Sequence, residues 1–458
     1  MIPIVTPAEM AAIDAAAPEP VEVLIERAGA AVARAARELL GGTYGRRVVV
    51  LHGRGNNGAD GRVAARRLAE RGVRVVEIDA FGPTVPELLP AADLVIDAAL
   101  GTGLSRPYTA PSVRSGTAVL AVDIPSGVDG ATGRVPGRAL AADRTVTFAA
   151  LKPGLVLAPG RWLAGDVEVA DIGLDVSRAT AHLVTAADVA RWVPRRRPDD
   201  HKWRHAVWVV AGSPGMTGAA HLTARAAMRA GSGYVRLSVP GLDHDAGAPT
   251  EVVSTPLDAD LASLLVPAEL ARFGCVALGP GLGRGAGTVA AVRRAAAVID
   301  RPLVIDGDGL AALGADAATV LAARRAPTIL TPHEGELRAL GADAAGTDVL
   351  GVTRALAAAT GAVVLRKGPT TVVAAPDGRV LCSVTGDERL ATAGTGDVLT
   401  GVVAAFVARG VPVFEAAAAG AFVHGLAAGL GAPDGLVAGD VAEALPATLA
   451  ALRAGEVS

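Results

Sequence analysis

Arg47-Val48-Val49-Val50-Leu51, followed after His52 by Gly53-Arg54-Gly55-Asn56-Asn57-Gly58-Ala59-Asp60-Gly61, reads as a short buried strand and a glycine turn, with a helix expected over residues 62–71. Strand, turn and helix in that order form the unit of a parallel α/β sheet, in which turn N–H groups can hold a phosphate. Gly53, Gly55 and Gly58 satisfy G-x-G-x-x-G, and the next expected strand, residues 73–80, carries Glu77 and Asp79 where a ribose-binding acid could sit. By that pattern alone the chain would be an NAD-dependent dehydrogenase. The pattern is weak, because a dehydrogenase turn does not call for two carboxamides and a carboxylate. Asn56, Asn57 and Asp60 offer side-chain oxygens for ligand hydroxyls or a cation.

The rhythm continues outward from this stretch. Leu94-Val95-Ile96-Asp97 leads into Ala98-Ala99-Leu100-Gly101-Thr102-Gly103-Leu104, and a strand ending at Val122-Asp123 leads into Ile124-Pro125-Ser126-Gly127. Val146-Thr147-Phe148 leads into Leu151-Lys152-Pro153-Gly154. Acids and a lysine recurring at strand ends beside glycine turns are better explained by one pocket than by separate helix caps. Upstream, Thr6-Pro7-Ala8-Glu9 is a capping box, and residues 21–40 have helical periodicity.

In the second half, Ala391-Thr392-Ala393-Gly394-Thr395-Gly396-Asp397-Val398-Leu399-Thr400-Gly401 places a carboxylate at the entry of an apolar helix through Val402, Val403 and Phe406. Exposed N–H groups and a base would share one point, a phosphate-transfer arrangement; alternatively Asp397 only favours a helix start. Strand–turn–helix repeats at Ala211-Gly212, Gly279-Pro280-Gly281-Leu282-Gly283 and Asp306-Gly307-Asp308-Gly309. Thr331-Pro332-His333-Glu334-Gly335-Glu336 and Arg366-Lys367-Gly368-Pro369-Thr370-Thr371 each follow a strand. No G-x-x-x-x-G-K-[ST] occurs, which excludes a P-loop enzyme.

Composition narrows the classes. The chain has 458 residues, room for two or three domains, and at 19% charged with net charge -3 it shows no basic face for nucleic acid. The Pro-flanked, charged stretch 193–200 reads as a linker between domains 1–192 and 201–458. Cys275 and Cys382 read as core thiols of a reducing cytosol; no signal core or membrane span is expected, and the location expected is cytoplasmic. Of 43 basic residues only Lys152, Lys202 and Lys367 are lysine, and Asn56 and Asn57 are the only asparagines. In so skewed a composition these residues point to positions that arginine cannot serve.

The motifs of residues 1–190 resemble the NAD(P)H-hydrate epimerase family: the Gly55 to Gly61 turn, Asp97 to Leu104, Asp123-Ile124-Pro125-Ser126-Gly127 and Leu151-Lys152-Pro153-Gly154. The resemblance implies a Rossmann-like three-layer αβα domain interconverting the R and S hydrates of NAD(P)H. It implies a potassium ion on Asn57, Asp97 and Ser126, an oxygen-only set suited to a hard cation. It also implies substrate contacts from Asn56, Asn57, Gly58, Ala59, Asp60, Gly101, Thr102, Gly103, Leu104, Ser105, Arg106, Pro107 and Asp123. Asp123 is the candidate for proton transfer, assisted by Lys152. Ala59, in place of the usual second glycine, and Arg106-Pro107 depart from the family pattern, and Ala59 is expected to tighten the loop.

Residues 200–458 resemble the ribokinase-like superfamily, and within it the ADP- or ATP-dependent NAD(P)H-hydrate dehydratases. The resemblance rests on His201-Lys202, Gly215-Met216-Thr217-Gly218-Ala219-Ala220, Gly279 to Gly283, Thr331-Pro332-His333, Lys367-Gly368 and Gly394 to Gly401. It implies that Lys367, Gly368, Pro369, Thr370, Thr371 and Gly396 hold the adenine nucleotide with magnesium, and that Ala219, Gly281, His333 and Asp397 contact the hydrate. Departures are Asp387 for a common asparagine, Glu334 and Thr250 for prolines, and Gly307 for an alanine. Asp387, a carboxylate near nucleotide phosphates, is expected to weaken their binding unless magnesium bridges it.

Together the resemblances imply one α/β enzyme with both activities, a homo-oligomer whose partners are NAD(P)H hydrates and ADP. Asp397 would act as general base while the hydrate hydroxyl attacks the terminal phosphorus of the nucleotide. The alternative is a ribokinase-like vitamin-precursor kinase with a non-catalytic N-terminal binding domain.

Overall fold

The computed structural model describes residues 1–104, 106–343 and 348–457. The chain divides into two compact units, Ile2–Ala181 and His182–Ser458 together with Met1. This division falls ahead of the expected boundary at 192. Residues 182–192 belong with the second unit because the helix Ala186–Trp192 packs its buried Val189 into that unit's core. Residues 193–200 are irregular. They are nevertheless tethered, since Asp200 accepts from the Arg197 N–H (2.9 Å) and from Arg204 (2.8 Å).

In the first unit the strands Arg74–Asp79, Arg47–His52, Leu94–Ala98, Ala118–Val122, Arg144–Phe148 and Asp166–Ala170 form, in that order, a six-stranded sheet. All of its pairings are parallel. The order reverses at Arg47–His52, between a strand that follows it in sequence on each side. Turns leaving the carboxyl ends of Arg47–His52 and Leu94–Ala98 diverge there and open a crevice, where open α/β sheets bind ligands. Helices Val21–Leu40 and Asn56–Ala69 cover one face through Leu24, Ala28, Val32, Ala64 and Leu68. The other face is closed by irregular chain carrying Leu89, Tyr108, Ala110 and Ala142.

The second unit orders Val380–Ser383, Thr371–Ala374, Val363–Arg366, Thr328–Leu330, Leu303–Ile305, Cys275–Leu278, Ala206–Val210, Tyr234–Ser238 and Val253–Ser254. Pairings are parallel except those of Thr371–Ala374 with both of its neighbours. The catalytic candidates therefore collect at one carboxyl edge. The helix Thr395–Ala408 is buried on nearly every side and packs against Gly218–Arg229 and Val413–Gly429. Val413–Gly429, too apolar to read as a surface helix, is likewise buried.

Gly401 sets the first of those helix contacts, because a Cβ there would lie 2.2 Å from the Thr223 carbonyl oxygen and 2.8 Å from Ala226 Cβ. Gly401→Ala is expected to destabilise the second unit by about 1–3 kcal/mol through overpacking. A lowered denaturant midpoint at unchanged m-value checks this.

Candidate functional sites

In the first unit the expected loop is already helix. Residues 56–61 form the first turns of Asn56–Ala69, with the Ala59 N–H donating to the Gly55 carbonyl (3.0 Å). Close packing requires the glycines around it: a Cβ on Gly58 would lie 2.0 Å from the Gly53 oxygen, and one on Gly53 would lie 2.0 Å from the Ala99 oxygen. Ala59 therefore occupies a helical position, where alanine is the favoured residue, and does not tighten a loop. The helix presents Asn56, Asn57 and Asp60 to a cavity of about 980 Å³, with Ala99 to Leu104, Arg106, Asp123 and Lys152 on its other walls.

Lys152 is fully buried and gives its Nζ to Asp123 Oδ1 (2.6 Å), Thr147 Oγ1 (2.9 Å) and the Phe148 carbonyl (3.1 Å). Thr147 Oγ1 in turn donates to Asp123 Oδ1 (3.1 Å). Asp123 is held at φ 68, a left-handed conformation uncommon outside glycine and enriched at functional sites. Gly101 leaves Asp123 Oδ2 open, since a Cβ there would stand 3.2 Å from that oxygen and 3.4 Å from Asn57 Cβ. Asn57, Gly101, Asp123 and Lys152 thus converge on one cavity. Arg106 lies over the Phe81 ring, 5.8 Å from its centroid. Gly58, Ala59 and Pro107 are not among the cavity walls, and Ser105 lies outside the described residues.

The expected potassium ligands have a coherent chemistry. Asp97 is completely buried, and burial raises its carboxyl despite hydrogen bonds from Ser126 and the Ala99 N–H. Among the described residues no basic side chain lies within hydrogen-bonding distance of it, and both side-chain polar atoms of half-buried Asn57 are shielded from solvent and lack a partner. Ser126 Oγ accepts from the Leu100 N–H (2.9 Å) and donates to the Leu100 carbonyl (3.1 Å), which leaves one lone pair on that oxygen. A buried carboxyl without a basic partner and an orphaned amide oxygen are each groups that a monovalent cation would satisfy.

In the second unit Lys367 Nζ meets Asp306 Oδ1 at 2.7 Å and Glu336 Oε2 at 3.6 Å. Thr400 Oγ1 donates to Asp306 Oδ2 (2.7 Å), tying this pair to the helix Thr395–Ala408. Gly396 brings the first turn against the lysine: a Cβ there would be 3.5 Å from Lys367 Nζ and 4.0 Å from Asp306 Oδ2. Gly394, the helix cap, takes φ 91, and Thr395 Oγ1 donates to the Leu390 carbonyl (2.8 Å). Burial pulls the Lys367 ammonium down, but Asp306, Glu336 and Asp397 outweigh it and hold it above its ordinary value. Burial chiefly, with Asp306 and Glu336 opposing Lys367, pushes Asp397 up to about 6. Glu336 is raised for the same first cause.

Asp306 and Glu336 are site residues that sequence reasoning misses. Asp306 carries a usable signal, an acid at a strand end like Asp97, whereas Glu336 reads as a first-turn helix acid. His333 Nδ1 accepts from the Gly335 (3.0 Å) and Glu336 (3.2 Å) N–H groups and caps Glu334–Ala339, which leaves Nε2 of the exposed ring as the atom that can meet a ligand. Gly368, Pro369, Thr370 and Thr371 make the turn between Val363–Arg366 and the antiparallel strand Thr371–Ala374, directly after Lys367. Ala219 and Gly281 are neighbours, with Ala219 Cβ 3.3 Å from where a Gly281 Cβ would stand. Gly307 takes φ 56, which accounts for glycine there.

Asp387, the acid expected to disturb phosphate binding, is held by Arg389 Nε through both oxygens (2.9 and 3.1 Å) and by the Arg389 N–H (3.0 Å). The neutralising cation is thus within the chain. Arg389→Met is expected to raise the nucleotide KM about 10-fold by releasing this carboxylate. Restoration of the KM in the Asp387→Asn, Arg389→Met double variant checks the cause. Among the described residues no group of three or more His, Cys, Asp or Glu side chains forms a metal cage. Magnesium carried in on nucleotide phosphates needs none, since it keeps most of its waters.

The family model described as NAD(P)H-hydrate dehydratase matches residues 207–449, and that described as YjeF-related protein N-terminus matches residues 21–85 and 79–154. The chain is similar to the bifunctional NAD(P)H-hydrate repair enzyme of Moorella thermoacetica, 38% identical over 97% of this chain and 96% of that protein. Proteins of the same description from Salinibacter ruber (38%, covering 94% and 92%) and Mycobacterium leprae (39%, covering 90% and 90%) are also similar. A solved ribokinase-like superfamily protein from Enterococcus faecalis aligns with TM-score 0.53 at 20% identity, covering 61% of this chain and 98% of that one, a likeness of fold.

Proposed function

The chain belongs to the family of bifunctional NAD(P)H-hydrate repair enzymes, and we propose accordingly that its first unit interconverts the R and S hydrates while its second dehydrates the S form, converting ADP to AMP and phosphate. The observation that carries the second-unit reading is the seating of Lys367 against Gly396, beside Asp397, at the positive end of an apolar helix.

In the second unit Asp397 takes the proton of the hydrate hydroxyl as that oxygen attacks the terminal phosphorus, and AMP departs. The oxygen then leaves as phosphate, a far better leaving group than hydroxide, and loss of the neighbouring proton restores the dihydropyridine. Lys367 and the N–H groups of Gly396 and Asp397 in the helix's first turn stabilise the charge on the moving phosphoryl. Magnesium, bound with the nucleotide, would neutralise phosphate charge. In the first unit the Lys152-paired Asp123 is the group that exchanges a proton with the hydrate during epimerisation. Asn57, Asp97 and Ser126 would hold the potassium ion, whose charge would favour ionised Asp97.

The test is incubation of the full chain with mixed R and S hydrates of NADH and either ADP or ATP, following recovery of dihydropyridine absorbance. Complete recovery supports both activities; recovery that stops at the S fraction removes the epimerase reading. A stable phosphorylated alcohol from a vitamin precursor would favour the kinase alternative. Exchange of potassium for tetramethylammonium is expected to slow R/S equilibration by about 10-fold or more and to leave dehydration of pure S hydrate unchanged.

A further inference from the structure

The first unit's cavity holds a carboxyl group to which the epimerase reading gives substrate contact but no part in proton transfer. Asp60 is buried on the second turn of Asn56–Ala69 and lines the same cavity as Asp123 and Lys152. Its Oδ1 has no hydrogen-bond partner, and no salt bridge to it is present among the described residues. A buried, unpaired carboxyl facing a ligand cavity is costly as an anion and is relieved by keeping its proton. Burial first, and then the negative charges of Asp123 and Asp14, push Asp60 up to about 8. Asp14, on the helix Pro7–Ala15, is itself raised by burial, with Lys152 opposing. The long helix packed on Asn56–Ala69 presents Ala28 and Gly29, and strand Leu94–Ala98 presents Ala98 against Gly61. Glu19 and Arg54, also on the wall, are paired with Arg27 and Asp79. Arg106, the other cation on the wall, lies over the Phe81 ring, and among the described residues no basic side chain is paired with Asp60, while the Lys152 ammonium is committed to Asp123.

We propose that Asp60 is the catalytic acid of the first unit, protonating the hydroxyl of the bound hydrate while Asp123 serves as the base for the returning water. This rests on the epimerase reading. Hydration of an enamine double bond puts the hydroxyl on the carbon next to the ring nitrogen. Asp60 gives its proton to that oxygen, the C–O bond breaks, and water leaves with the bonding pair. The nitrogen lone pair closes a C=N bond. Water then adds to the opposite face, a C–O bond forms, the C=N pair returns to nitrogen, and Asp123 takes the proton of the added water. One water leaves and one enters. Passage in the reverse sense, or exchange with solvent through the cavity, returns the proton to Asp60.

The decisive variant is Asp60→Asn in the full chain, which keeps size and polarity and removes the proton. Its kcat for R/S equilibration is expected to fall about 10²- to 10³-fold with the hydrate KM within about 3-fold, while S-hydrate dehydration by the second unit is unchanged. The wild-type epimerisation rate should decline above about pH 8, and the residual rate of the variant should not. Near-normal kcat in Asp60→Asn overturns the assignment, as does a loss expressed only in KM. Should the variant fail to fold, a wild-type rate that does not decline between about pH 7 and 9 also overturns it. A wild-type chain that does not equilibrate the hydrates overturns the epimerase reading itself, an outcome distinct from an active wild type with an active Asp60→Asn.

Discussion

Asp397→Asn is expected to lower the rate of hydrate dehydration at least about 10²-fold while ADP binding stays within a few-fold. The nucleotide contacts proposed for Lys367 and the Gly396 turn survive the substitution, and what is lost is the group that removes the hydroxyl proton. Asp397 lies at about 6 because burial and the nearby Asp306 and Glu336 outweigh Lys367. The base is its ionised form, so wild-type turnover should be full well above pH 6 and fall as pH drops through about 6. The stability effect has the opposite sign. A carboxyl whose folded value lies above its unfolded 3.8 penalises folding at neutral pH, where both states are ionised; the penalty disappears below 3.8. Asp397→Asn should therefore melt no lower than wild type at pH 7, so that lost turnover cannot be assigned to lost folding. Turnover near the wild-type rate would remove Asp397 as the base.

The second large effect is expected from Asp123→Ala. Lys152 is 1% exposed, and its other partners, Thr147 Oγ1 and the Phe148 carbonyl, are neutral. Removing Asp123 strands a buried ammonium, and breaking a buried pair in this way costs about 3–5 kcal/mol. For a unit of this size that corresponds to a fall in Tm of roughly 10 °C, read by calorimetry as an earlier transition of the first unit. Lys152→Met should cost clearly less, because Asp123 is 13% exposed to the cavity and can be solvated or protonated there. Both variants should lose R/S equilibration and keep S-hydrate dehydration. Equal destabilisation by the two would show that the lysine is not the partner that depends on the pair.

Two features of the second site show how position and chemistry separate. His333 is expected at the hydrate from its motif, yet its Nδ1 is committed to two helix N–H groups. Its neighbour Glu336 reaches Lys367 instead. Asp387 is expected to repel phosphate, yet Arg389 holds it from two residues away. In both cases the motif gives the residue type and withholds its partner, because a side chain's partner depends on rotamer and packing.

Two α/β units, the parallel rhythm of strand, turn and helix, and the clustering of acids at carboxyl edges are all legible in the order of the residues. Hydrophobic period and glycine punctuation are local signals, and the right-handed connection of parallel strands converts them into topology. The scarcity of lysine is also informative: Lys152 and Lys367 are each paired with an acid in a candidate site, whereas Lys202 lies near aromatic rings, 6.0 Å from that of Trp203. Packing in three dimensions was needed to establish that the Asn56 turn is helical, that residues 182–192 belong to the second unit, that Asp60 is buried without a partner, and that Asp306 joins Lys367 to Thr400. Lys367 and Thr400 lie 61 and 94 residues from Asp306, and no local spacing encodes such a pairing. It arises because separate strands end at the same edge, where burial makes each charge depend on the partner that packing brings to it.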